Sequence, residues 1–124
     1  PFAARVRPPQ HDDAAIAAAQ VWIADNYASP SPVAGMTAAS GLTARTFKRR
    51  FEASTGYSPL DYVLSLRMEE AKQLLEASDT AIDAIAEEVG YAEPAAFRRL
   101  FKRSTGIPPM HYRQRFRQVA ALDR

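Results

Sequence analysis

Arg45, Lys48 and Arg49 stand three and four residues apart, and about fifty residues later Ala95, Arg98 and Arg99 repeat the same spacing. Guanidinium groups donate paired hydrogen bonds to planar acceptors, above all guanine O6 and N7, and to phosphate oxygens. Thr43, Arg50, Lys102 and Arg103 lie beside these residues as further donors for anionic oxygens. The chemistry on offer is recognition rather than bond making. The chain has no cysteine, its two histidines, His11 and His111, lie far apart, and Ser54 and Ser104 have no histidine or acid at a defined spacing. Thiolate nucleophiles, catalytic triads and metal cages are thereby excluded, and neither an enzyme nor a cofactor is expected.

The elements that must carry these cations are legible as a repeat. FKRRFEASTGYSPLDY at 47–62 returns as FRRLFKRSTGIPPMHY at 97–112, with half of the positions identical. Upstream, Met36 falls on Ile85, Gly41 on Gly90 and Leu42 on Tyr91, so the second copy holds one extra residue near Pro94, in the turn. Each copy reads as a short helix, a glycine turn, a second helix and a glycine stop at Gly56 or Gly106, the layout of a helix-turn-helix. At 100° per residue, Phe47 and Phe51 share one face of the second helix with Arg49 opposite, and Phe97 and Phe101 stand in the same relation to Arg99. The four phenylalanines are expected in the core, with Trp22 as a packing anchor of the first helix.

Charge follows the same plan. Thr43 to Gly56 holds four cations and one acid, a net +3, and Glu93 to Gly106 also nets +3, whereas residues 69–88 carry seven acids and one lysine. The formal charge of +2 over 124 residues therefore conceals two basic helices separated by an acidic stretch. One basic helix face is ordinarily just solvated. Two, each behind a glycine turn with aromatics inward, favour a nucleic-acid reader over a solvated face, with a module binding an acidic protein as the alternative.

An apolar fraction of 47% places the chain among globular proteins, and no run of about 18 apolar residues suggests a membrane span or secretion signal, so a cytoplasmic protein is the default. Proline-rich residues 1–11 read as a linker or arm. Asp12 or Asp13 starts a helix, Ser31-Pro32 another, and Ser58-Pro59 the longest, over 59–77, with Val63, Leu66, Ala71, Leu74 and Leu75 as its buried stripe. Thr80 with Asp83 suggests a capping box for the next helix. The fold expected is all-α, with about seven helices forming two helix-turn-helix subdomains joined by a long linking helix: 12–78, 79–118, then a tail at 119–124. Arg67 is expected in a structural ion pair; Tyr112 and Phe116 are expected to pack on the second motif, and Arg113, Arg115 and Arg117 to be solvated.

MTAASGLTARTFKRRF at 36–51, RMEEAKQLL at 67–75 and IDAIAEEVGYAEPAAFRRLFKRSTGIPPMHYR at 82–113 resemble the two motifs and linking helix of the AraC/XylS family of bacterial transcription regulators. Thr37 departs from the small alanine that the family favours there and that Ala86 supplies in the second copy. GLTARTFKRRFEASTGYSP is most similar to a subgroup whose DNA-binding domain follows a class I glutamine amidotransferase-like (ThiJ/PfpI-like) domain, and Pro1 to Gln10 resembles its joining segment. The chain starts at Pro1 rather than Met, and this resemblance implies an effector-sensing domain outside these residues.

The family also implies double-stranded DNA as partner, with RNA polymerase as a second partner of an activator, and base contacts from Arg45, Lys48, Arg49, Ala95, Arg98 and Arg99. Ala95 offers only a methyl group, suited to a thymine methyl. Thr43, Arg50, Lys102 and Arg103 are candidates for phosphate, together with amides at the helix starts near Thr43 and Glu93, where Glu93 is expected to act as a cap. A linking helix of nineteen residues spans about 28 Å, which with the helix diameters suits readers one duplex turn, about 34 Å, apart.

Overall fold

A computed structural model describes residues 11–122. Among them are seven helices and no strand: α1 (Ala14–Asn26), α2 (Pro32–Ser40), α3 (Ala44–Thr55), α4 (Pro59–Ala77), α5 (Ile82–Glu88), α6 (Pro94–Thr105) and α7 (Pro109–Leu122). Residues 1–10, expected as the linker, lie outside the described residues. The tail expected from 119 is helical as far as Leu122. Two compact units divide inside α4, one running up to Arg67 and the other from Met68 onward.

Local chemistry starts several of the helices. The Asp13 carboxylate accepts from the Ile16 amide at the start of α1, and Pro32 occupies the first turn of α2, where its missing N–H costs nothing. Thr43 Oγ1 accepts from the Thr46 amide to open α3, and Ser58 Oγ does the same for the Asp61 amide of α4. Between α2 and α3, Gly41 takes φ 73°, in the left-handed region that glycine enters without a Cβ penalty. Three residues connect α2 to α3 and five connect α5 to α6; with Gly41 matched to Gly90, the second turn holds one more residue.

In the first unit Ile16, Ala19 and Ile23 of α1 meet Met36, Phe47, Phe51, Tyr62, Val63 and Leu66, with Trp22, Tyr27, Val33 and Leu42 packed at the edge. Trp22 lies directly over Gly35, where a Cβ would fall 2.0 Å from its Cη2. That glycine makes room for the indole, a pairing across thirteen residues that periodicity does not reveal. Thr37 fits at its helical position because its hydroxyl donates back to the Val33 carbonyl at 2.9 Å. The second unit buries Met68, Ala71, Leu75, Ile82, Ile85, Ala86, Val89, Phe97 and Phe101. Along α4, Val63, Leu66, Ala71 and Leu75 are buried as expected and Leu74 is only half-buried, while Tyr62 and Met68 join the core.

The capping box expected at Thr80 and Asp83 does not form. Ala81 is the N-cap of α5, and the Thr80 hydroxyl accepts from Ser78 Oγ instead. Asp83 is drawn away to Arg98.

The repeat extends to ring geometry. Phe47 and Phe51 sit 5.3 Å apart and Phe51 meets Tyr62 edge-on at 5.2 Å; Phe97 and Phe101 sit 5.8 Å apart and Phe101 meets Tyr112 edge-on at 5.6 Å. Thr55 and Thr105 close both recognition helices alike, each hydroxyl donating to the carbonyl four residues back and accepting from the amide two residues on. Truncating either central ring, as Phe51→Ala or Phe101→Ala, should cost about 3–5 kcal/mol of stability through the cavity left behind. Denaturant unfolding checks this, and an unchanged midpoint would contradict the helix orientation.

Candidate nucleic-acid interface

Burial of the phenylalanine pairs sets the rotation of α3 and α6. On α3, Arg45, Lys48 and Arg49 are exposed together; on α6, Ala95, Arg98 and Arg99 are exposed, with Lys102 and Arg103 one turn further along. Each group lies within a single unit, on a helix held by its own aromatic stack. The open ends of the two helices differ. Thr43 caps α3 through its hydroxyl, whereas Glu93 holds the N-cap position of α6 without a side-chain cap bond, so the capping role expected of its carboxylate is not taken up. Nothing in the side chain closes the α6 amides, and Pro94 removes one of them as a donor.

The remaining cations divide by partner. Arg50, expected at phosphate, is turned back onto α1: its Nε donates to Asp13 Oδ2 at 2.9 Å and its Nη2 to Asp13 Oδ1 at 2.6 Å. One carboxylate thus caps α1 and clamps α3. Arg67, 8% exposed, donates to the carbonyls of Tyr27 at 2.7 Å and Ser29 at 3.0 Å, just past the end of α1. These contacts are structural and are made to backbone carbonyls.

Arg113 corrects the expectation of a solvated side chain, whereas Arg115 and Arg117 are exposed as expected, Arg117 with partners of its own. Arg113, 7% exposed, donates to the carbonyls of Leu75 and Thr80. Arg117 donates to the Ser78 carbonyl and pairs with Asp79 at 2.6 Å. Arg117 stands one repeat after Arg67, and Ser78 one repeat after Ser29, so both units use an arginine of the trailing helix to satisfy carbonyls where the preceding helix ends. The matched pairs in the sequence were a usable signal for this. Arg113 has none, because its counterpart in the first copy is Val63.

Tyr112 packs on Phe101 as expected and donates to Glu76; burial and that neighbouring carboxylate push its phenol well above the ordinary range. Phe116 remains partly exposed beside Ser104, Thr105 and Ile107. His11 is engaged with Gln20 and the Asp13 amide. Among the described residues no group of side chains could hold a metal ion, and no helix is long and apolar enough to cross a membrane.

The helix-turn-helix domain family model matches residues 36–115, and the chain belongs to that family, with an AraC/XylS-type DNA-binding domain. It is 34% identical over 92 residues to the multiple antibiotic resistance protein MarA of Escherichia coli, covering 74% of this chain and 72% of MarA. It is 42% identical over 72 residues to the MmsAB operon regulatory protein of Pseudomonas aeruginosa, covering 58% of this chain. The DNA-binding domain of AdpA, a global transcriptional factor solved in complex with a target DNA, superposes with a TM-score of 0.79 at 32% identity, covering 87% of this chain and 96% of that one. The matched region spans about a quarter of some relatives: 24% of the MmsAB regulator, and 26% of the HTH-type transcriptional regulator YobQ of Bacillus subtilis, to which the chain is 40% identical over 63 residues.

The Arg50 guanidinium holds the Asp13 carboxyl down from 3.8 to about 2. A depressed folded-state value means that this pair's stabilisation is present above the unfolded carboxyl's range and is lost as pH falls through about 2. Unfolding followed between pH 5 and pH 2 should therefore show stability falling with acid, and Asp13→Asn should flatten that part of the profile. An unaltered acid limb in the variant would show that the clamp does not contribute.

Proposed function

We propose that this chain is the DNA-reading part of a transcription regulator, with α3 and α6 each entering a major groove of double-stranded DNA and the two grooves lying one turn apart. The observation that carries this reading is the duplication of one geometry: an aromatic stack inward, cations three and four residues apart outward, a glycine turn before each helix. Arg45, Lys48 and Arg49 face bases in one groove; Ala95, Arg98 and Arg99 face bases in the next. Arginine paired to guanine O6 and N7 supplies discrimination, and Ala95 suits a thymine methyl. Lys102, Arg103 and the amides near Thr43 and Glu93 are donors for phosphate, which positions a reader without specifying sequence. Arg50 joins them only if phosphate competes with Asp13. Subdomains 12–78 and 79–118 each bring one reader.

Because the two readers differ, the half-sites need not be palindromic, and one chain can do what a symmetric dimer does elsewhere. A regulator of this kind works in the cytoplasm, where the DNA is, and has no need of catalysis; as an activator it would also touch RNA polymerase. The likeness of 41–59 and of Pro1 to Gln10 to the amidotransferase-like subgroup supports an effector-sensing domain of that class joined ahead of the linker.

Selection of bound sites from randomised duplexes should return two short boxes about ten base pairs apart. Affinity for the selected duplex should fall steeply between about 50 and about 200 mM salt, with a slope near −0.9 per phosphate contact; a shallow slope would instead favour an acidic protein as partner. Arg49→Ala and Arg99→Ala should each weaken specific binding by roughly 1–3 kcal/mol and leave thermal unfolding nearly unchanged. Loss of folding in both variants would make these side chains structural.

A further inference from the structure

The two readers differ at one contact that the repeat itself exposes. In the second unit Asp83 of α5 accepts from Arg98 Nη2 at 2.5 Å, with the side chains 63% and 49% exposed. In the first unit the matching positions hold Ala34 and Lys48, so the corresponding cation has no carboxylate opposite it on α2. An ion pair this open to water contributes little to folding, and α5 is already anchored by Ile82, Ile85, Ala86 and Val89. Its effect falls on Arg98 itself. A carboxylate on one terminal amino group limits the rotamers of a long side chain, so less freedom remains to be lost when the other donors meet a base. The same negative charge offsets the attraction of Arg98 for phosphate and repels the backbone, which weakens binding that is blind to sequence.

We infer that Asp83 is a positioning residue that sets Arg98 for base readout, so that discrimination by the second motif depends on a carboxylate of the preceding helix, whereas at the matching position of the first motif Lys48 works without one. This rests on the reading of α6 as a groove helix. The test is selection from randomised duplexes with the full chain, for wild type, Asp83→Ala, Arg98→Ala and the double variant, followed by competition of the enriched duplex against a shuffled one over a range of salt. The box blurred by Arg99→Ala is the one read by α6.

Asp83→Ala should reduce preference in that box by about ten-fold, leave the other box unaltered, and tighten binding to the shuffled duplex at low salt. In the Arg98→Ala background, Asp83→Ala should have no further effect on preference. An undiminished preference in Asp83→Ala, or an effect that persists without Arg98, overturns the inference while the DNA reading stands. A wild-type chain that enriches no common sequence overturns the DNA reading and the inference with it.

Discussion

Everything exposed on α3 and α6 depends on where two pairs of phenylalanines go. A pair four residues apart occupies one narrow sector of a helix, and once it is buried the helix can no longer turn about its axis. With Phe47 and Phe51 inward, Arg49 is left about 180° away, and Phe97 and Phe101 do the same for Arg99. Tyr62 and Tyr112 close each stack edge-on from the following helix, which ties the orientation of the reader to the element that comes after it. The cations therefore need no partners of their own to be presented; the hydrophobic effect orients them.

Where the chain turns, arginine does a different job. Helix ends leave carbonyls without intrahelical partners, and short connections bring those ends out of reach of much solvent. Arg67, Arg113 and Arg117 supply donors at these places, and Asp13 supplies the acceptor at the start of α1 while holding Arg50. So the basic residues form two populations of opposite purpose. One population is taken up by the fold, and the other lies exposed on α3 and α6, with Arg98 among it paired to Asp83.

Those populations were unequally legible. The rotation of α3 and α6, the glycine turn and the extra residue in the second turn all follow from period and repeat, because each is a local property of a segment of twenty residues or so. Arg50 was misleading for a physical reason: it sits on the flank of its helix, where 100° per residue cannot say whether the neighbour is water or the Asp13 carboxylate of another helix. Arg113 sits in a basic, aromatic tail whose composition suggests solvent, yet it reaches carbonyls more than thirty residues away. Thr80 and Asp83 have the spacing of a cap, but Asp83 finds the Arg98 guanidinium, a stronger partner than a neutral amide.

By itself the sequence determined the all-α class, the seven helices, the inward aromatics, the outward cations and the family, since these depend on residue type and on spacing along one helix. Tertiary structure alone decided which arginines remain available. Choosing a partner for a long, flexible, always-charged side chain requires knowing what other segments bring within hydrogen-bond reach, and that distance is not encoded in separation along the chain. The same limit hid the seat of Trp22 over Gly35 and the contact between Asp83 and Arg98, which gives two otherwise parallel motifs different surroundings.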